Sequence, residues 1–184
     1  MLVEKLSIQG PLLITPRRHE DRRGWFCETF REDVFALHAP NVRFVQHNQS
    51  FSRSKGVVRG LHFQTPLAAQ GKLVRCLRGA IRDIALDIRR SSPTFGRHVA
   101  AELSAENGRQ LWVPEGFAHG FVTLTDNAEV FYQVTDYYNP ESDRGIAWND
   151  PALNIEWGIG EAEAVLSDKD RGHPILADQA DLFP

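Results

Sequence analysis

Gly108-Arg109-Gln110-Leu111-Trp112-Val113-Pro114-Glu115-Gly116-Phe117-Ala118-His119-Gly120-Phe121 is the segment from which the fold is read. Its spacing is G-x5-P-x-G-x2-H. Residues 110–113 and 117–124 are rich in β-branched and aromatic side chains and read as strands. Pro114 and Gly116 between them supply the backbone chemistry of a tight turn. His119 then falls at the start of the second strand, where it points inward. Working outward, residues 24–30, 42–49, 57–63, 72–77, 81–88, 98–103 and 129–135 are further short β-rich runs separated by turn residues. Arg78-Gly79-Ala80 reads as a hairpin turn between two of them. In residues 81–88, Ile81, Asp83, Ala85 and Asp87 alternate with Arg82, Ile84, Leu86 and Ile88, so one face is more apolar than the other. Many short strands at this spacing predict a mostly β fold, with a barrel favoured over an open sandwich. Helix signals are few. Residues 31–38 predict one short helix, with Val34, Phe35 and Leu37 apolar and Glu32 and Asp33 suited to the dipole at its start. Residues 139–184 predict turns and one or two short helices wrapped on the outside.

The chain has 184 residues, 42% hydrophobic and 24% charged, which suits one domain over residues 1–184 with a substantial core. No apolar run approaches the roughly 20 residues of a membrane helix. The start, Met1-Leu2-Val3-Glu4-Lys5, lacks the apolar region of a signal peptide, so the expected location is the cytoplasm. A formal net charge of −3 argues against nucleic acid as a partner. It leaves room for a few arginines placed on one anionic ligand. Cys27 and Cys76 are expected to be reduced thiols.

Two further stretches carry chemistry. In Arg59-Gly60-Leu61-His62-Phe63-Gln64, strand alternation sends Leu61 and Phe63 one way and Gly60, His62 and Gln64 the other. If the second face lines a cavity, His62 sits in it; a lone histidine is otherwise more often a hydrogen-bonded structural residue. In residues 129–135, Val130, Tyr132 and Val134 share one face, which is expected to look inward.

The quoted motif is most of the second signature of the cupin superfamily. Metal-binding cupins also carry two closely spaced histidines and a glutamate in a first signature. Here residues 56–75 offer only His62, and His119 alone does not make a stable site. No metal and no cofactor are therefore expected. The resemblance then becomes specific. Arg23-Gly24-Trp25-Phe26-Cys27-Glu28, Gln46-His47-Asn48, Val58-Arg59-Gly60-Leu61-His62-Phe63-Gln64, Gln70-Gly71-Lys72-Leu73-Val74-Arg75 and Ser91-Ser92-Pro93-Thr94-Phe95-Gly96 occur in order. Leu103 to Asn107, Val113 to Phe121, Trp148-Asn149-Asp150-Pro151 and Leu166-Ser167-Asp168-Lys169-Asp170 follow. Together they resemble the dTDP-4-dehydrorhamnose 3,5-epimerase family over nearly the whole chain.

The resemblance implies a cupin jelly-roll barrel, a homodimer, and a dTDP-linked keto-sugar as substrate, inverted at C3 and C5 beside the C4 ketone. Such a carbon acid needs a base, a group that stabilises the enolate, and an acid on the other ring face. His62 matches the base, because an imidazole accepts a proton near neutral pH. Asp170 matches the carboxylate on its other nitrogen, with Asp168 the competitor in sequence. Lys72 matches the enolate stabiliser and Tyr132 the acid. His119 either shares the role of Lys72 or holds another sugar oxygen. Arg23 and Arg59 match diphosphate-binding arginines. Glu28, Gln46 and Asn48 match nucleotide contacts, and Tyr138, next to Tyr137, matches an aromatic that stacks on thymine. Asp143 and Lys169 match further ligand contacts. The chain departs from the family at His47, where Asp is frequent, and at Asp143, where Glu is frequent. Residues 50–56 are one longer than in some relatives. A single-carbon epimerase, a 3,4-ketoisomerase, a non-catalytic sugar-nucleotide binder and a metal-dependent cupin dioxygenase are the rival readings.

Overall fold

The computed structural model describes residues 1–184. Thirteen strands are arranged in three antiparallel sheets. The six-stranded sheet has the order β1 (Leu2–Lys5), β2 (Leu12–Thr15), β10 (Gln110–Val113), β7 (Lys72–Arg78), β12 (Ala128–Val134) and β5 (Gln46–Ser52). The five-stranded sheet has the order β13 (Asp143–Gly145), β6 (Val58–Gln64), β11 (Phe117–Thr123), β8 (Ala80–Asp87) and β9 (His98–Ser104). β3 (Arg18–Asp21) and β4 (Gly24–Cys27) form a separate hairpin. The helices are short: α1 spans Glu32–Ala36 and α2 spans Asp168–Arg171.

Three apolar layers follow from strand alternation. Between the two large sheets, Val74, Cys76, Val113 and Val130 meet Ile81, Ala85, Phe117 and Phe121. Outside the five-stranded sheet, Leu61, Phe63, Ile84, Leu86, Ala118 and Val122 are covered by tail residues Ile146, Trp148, Leu153, Trp157, Leu176 and Leu182. Each large apolar side chain so buried contributes roughly 1.5–3 kcal/mol, so the tail is firmly docked. Outside the six-stranded sheet, Leu12, Ile14, Leu73 and Trp112 are covered by Phe35 and Ala39 from α1 and the turn after it. Phe35 packs edge-on to Trp112 at 5.3 Å between centroids. The more apolar face of residues 81–88 is thus the outer one, hidden by the tail. The inner one carries Asp83 and Asp87, both fully buried.

Several elements differ from the sequence reading. Arg78-Gly79-Ala80 is not a hairpin turn. β7 pairs with β10 and β12, whereas β8 pairs with β9 and β11. The chain crosses from one sheet to the other there, with Gly79 at φ +71° and no room for a Cβ beside the Thr125 hydroxyl. The helix is Glu32–Ala36 rather than 31–38. It has no side-chain cap, and Pro40 lies just beyond. The strand expected at 24–30 ends at Cys27, where its partner β3 runs out. The strand expected at 42–49 is Gln46–Ser52, because its span is set by pairing with β12, while Val42 and Phe44 pack against the α1 layer. β1, β2, β3 and β13 lacked a legible pattern.

One irregularity shapes the cavity. Along β6 and β11, His62 faces His119, yet Arg59 faces Phe121, so β6 holds one extra residue. Gly60 and Gly120 make the bulge possible: a Cβ on Gly60 would lie 2.5 Å from the Gly120 Cα. Strict alternation cannot put residues 59 and 62 on one face. The bulge does, and both line the cavity.

Candidate active site

One mouth of the barrel is open. A cavity of about 420 Å³ is lined by Ser50, Arg59, His62, Lys72, His119 and Tyr132, with Lys169 and Asp170 from the tail. It continues into a compartment of about 310 Å³ through His62, Lys72, Tyr132 and Lys169, which line both. The second compartment is walled by Gln46, Asn48, Gln64, Tyr138 and Asp143.

β6 presents His62 and the tail presents its partner. His62 Nε2 lies 2.5 Å from Asp170 Oδ1. Asp170 is held on α2, whose first turn is capped by Ser167 Oγ accepting the Asp170 backbone N–H at 3.1 Å. Burial pushes the Asp170 carboxyl up, but the His62 hydrogen bond and the neighbouring imidazoles outweigh it and hold it below the usual range. An ionised Asp170 accepts, so Nε2 carries the proton and Nδ1 is left as the basic nitrogen. Asp168 is exposed and takes no part.

Lys72, at the start of β7, is 9% exposed and donates to the His62 carbonyl oxygen at 3.3 Å. Burial pushes its ammonium down to about 8, against the pull of Asp143 and Asp83. On β12, Val130 and Val134 are buried inward and Tyr132 lines the cavity between them, as alternation requires. Burial raises its phenol, which stays protonated. His62 and Tyr132 stand on facing sheets, hence on opposite walls.

His119 Nε2 lies 2.7 Å from Asp83 Oδ1. Asp83 is wholly buried, and its Oδ2 has no partner. Burial raises its pKa against the attraction of His119 and Lys72. Asp83 was not among the expected site residues. Its signal was a carboxylate between Ile81 and Ala85 at an inward strand position.

In the second compartment, Gln46 Nε2 donates to Asn48 Oδ1 at 2.9 Å and Gln46 Oε1 accepts the Tyr138 N–H at 3.1 Å. The Tyr138 hydroxyl donates to Asp143 Oδ2 at 2.9 Å, and the Lys169 ammonium donates to the same oxygen. Tyr138 is 54% exposed at the mouth, while Tyr137 lies off the cavity. Arg59 donates from Nε to Ser52 Oγ at 3.3 Å and from Nη2 to the Phe51 carbonyl at 3.2 Å, with no carboxylate partner. His47 faces outward, against Phe131 and Gln133. Arg23 and Glu28 are not brought to the cavity. Arg23 is exposed and paired with Asp21 at 2.6 Å on the β3–β4 hairpin, and Glu28 is exposed just after it. His173, also unanticipated, lies behind Asp170, with Nε2 3.5 Å from Oδ1.

A cupin-type barrel that sets a histidine–carboxylate pair, a buried ammonium and a phenol around one cavity holds the groups that moving a proton at a carbon beside a carbonyl requires. The family model described as dTDP-4-dehydrorhamnose 3,5-epimerase matches residues 5–178. A Sinorhizobium fredii dTDP-4-dehydrorhamnose 3,5-epimerase is 52% identical over 97% of this chain and 91% of its own length. The enzyme of that name from Salmonella typhimurium is 51% identical over 98% of this chain and 97% of its own. The crystal structure of dTDP-6-deoxy-D-glucose-3,5-epimerase from Legionella pneumophila, in complex with dTDP-4-keto-L-rhamnose, superposes with a TM-score of 0.94 at 45% identity, covering 100% of this chain and 97% of that one. The chain belongs to the dTDP-4-dehydrorhamnose 3,5-epimerase family. No helix is long and apolar enough to cross a membrane.

Proposed function

We infer that the chain epimerises dTDP-4-dehydro-6-deoxy-D-glucose at C3 and C5 to dTDP-4-dehydro-L-rhamnose, in dTDP-L-rhamnose biosynthesis. The observation that carries the reading is the placement of His62 and Tyr132 on opposite walls with Lys72 between the compartments they share. His62 Nδ1 takes the proton from the carbon beside the ketone, and Asp170 stabilises the imidazolium that forms. The Lys72 ammonium meets the growing charge on the C4 oxygen, where it helps the transition state more than the ground state. Tyr132 returns a proton from the other face. The second compartment suits the nucleotide: Tyr138 offers an aromatic face and Gln46, Asn48, Asp143 and Lys169 polar contacts, while Arg59, on the wall of the first cavity, offers phosphate a guanidinium with no carboxylate partner.

Two copies complete the site in this reading. Arg23 and Glu28 stand beside an exposed hairpin with Trp25 and Phe26 at 55% and 72% exposure. A homodimer in which each hairpin reaches the other copy's cavity gives those residues a ligand. Mixing Arg23→Ala with His62→Ala protein tests it: dimers that exchange subunits regain activity that neither parent has. A failure to complement, or a monomer by light scattering, ends the dimer reading.

Turnover in D2O, followed by proton NMR, tests the reaction. Deuterium entering at both C3 and C5 is the expected result. Exchange at one carbon would make this a single epimerase, and none at either would defeat the reading.

A further inference from the structure

His62, Asp170 and His173 form a cluster that the epimerisation does not use in full. Asp170 Oδ1 lies 2.5 Å from His62 Nε2 and 3.5 Å from His173 Nε2, and all three ligand atoms lie within 4.8 Å of one another. The His173 side chain is only 10% exposed, and its Nε2 has no hydrogen-bond partner. The ring is seated against Gly145, where an added Cβ would lie 2.3 Å from that nitrogen. Gly145 pairs with His62 across β13 and β6. A buried nitrogen without a partner is costly unless something else can use it, and this one borders a carboxylate that already holds a second imidazole.

We propose that His62 Nε2, Asp170 and His173 Nε2 bind a divalent zinc-class ion, and that the ion switches the epimerase off. Two imidazoles and one carboxylate are a donor set that Zn²⁺ accepts, at roughly 2.0–2.2 Å per bond. The fourth position opens on the cavity, because His62 is 30% exposed. Binding requires His62 Nε2 and Asp170 Oδ1 to part from their 2.5 Å hydrogen bond, since two ligands of one tetrahedral ion sit roughly 3.3 Å apart. The ion is no part of the reaction. It displaces the proton from His62 Nε2, and a neutral imidazole ligating through Nε2 must carry its proton on Nδ1. Nδ1 is the atom that has to accept the sugar proton, so coordination removes the base without touching the barrel. The inhibitory consequence rests on the epimerase reading; the binding does not.

The test is a calorimetric titration of metal-free full-length protein with Zn²⁺ in a non-chelating buffer, with turnover measured on the same samples. The expected result is one ion per chain, loss of activity in step with occupancy, and recovery on adding a chelator. His173→Ala should weaken binding at least tenfold and relieve inhibition to the same extent, with zinc inhibition measured relative to each protein's own zinc-free turnover. His173→Gln is the second variant, should the alanine protein fail to fold. Equal zinc affinity in wild type and both variants would overturn the site. Stoichiometric binding with full activity would overturn the switch. A protein with no turnover under any condition would defeat the epimerase reading, and the titration would still decide the site.

Discussion

The cavity holds two histidine–carboxylate pairs that lie side by side and are built differently. His62 and His119 are directly opposed on neighbouring strands, and each meets a carboxylate through Nε2. The His119 pair is made within the sheet. Asp83 comes from the adjoining strand β8, and the two side chains are 9% and 0% exposed. The His62 pair is made across the molecule. Its imidazole is 30% exposed to the cavity, and Asp170 arrives from the far end of the chain on a four-residue helix. The burial differs, and so does the state of each carboxyl: Asp170 is held below its ordinary range and Asp83 above it. A lowered, ionised carboxylate beside an imidazole that can reach the ligand suits a base that gains charge during turnover. A buried pair with a spare oxygen suits a fixed donor that orients the sugar.

The sharpest way to break this contrast is to remove each imidazole. His62→Ala should lower kcat by at least about 10³-fold and abolish deuterium entry at both carbons, whereas His119→Ala should leave exchange measurable. Equal loss from both would make the pairs equivalent. Next, Asp170→Asn should lower kcat about 10²–10⁴-fold with little change in KM. Asp83→Asn, isosteric and relieved of a buried charge, should cost only about tenfold in kcat/KM. Steady-state kinetics on the two variants decide it, and a reversed order would exchange the roles.

Lys72 sharpens the same comparison, since it donates to the His62 backbone and is attracted by Asp83. Lys72→Met should cost about 10²-fold in kcat while raising thermal stability. Its folded pKa of about 8 lies below 10.5, so the folded protein binds this proton less well than the unfolded chain. The wild type should therefore gain stability as pH rises from about 8 to 10.5, and the variant should lack that gain. The cost relieved at neutral pH is on the order of 1–3 kcal/mol; chemical denaturation at pH 7 and pH 10 measures it. The smallest effect is an alkaline fall in the wild-type kcat/KM profile with a midpoint near 8, as the ammonium loses its proton. A profile flat to pH 10 would remove Lys72 from the role of enolate stabiliser.

The barrel was legible because its central strands repeat every second residue and are punctuated by Gly and Pro. That period put Tyr132 on an inward face and set His62 apart from Leu61 and Phe63, while the Pro-Gly turn placed His119 at the start of its strand. What the period could not supply was anything set by pairing between distant strands. The first 21 residues lack the pattern because β1 is largely exposed and β3 pairs only with β4. Arg59 reaches the cavity through a bulge that depends on two glycines from different strands meeting. Asp170 could be chosen over Asp168 only by resemblance, because either could follow a cap at Ser167. His173 had no local signal: its neighbours are brought to it by the docking of the tail. Asp83 was visible as an oddity in an apolar strand, yet its partner was not.

The lateness of Asp170 in the chain has a consequence for synthesis on the ribosome. Every strand of the two large sheets is complete by Gly145, and the parallel bridge between Arg89 and Phe183 is made only with the last residues. A nascent or prematurely terminated chain can therefore pair its sheets while its imidazole still lacks a carboxylate. The chain has to be extended at least as far as Asp170 before His62 gains its partner, so the sheets are made before the base is complete.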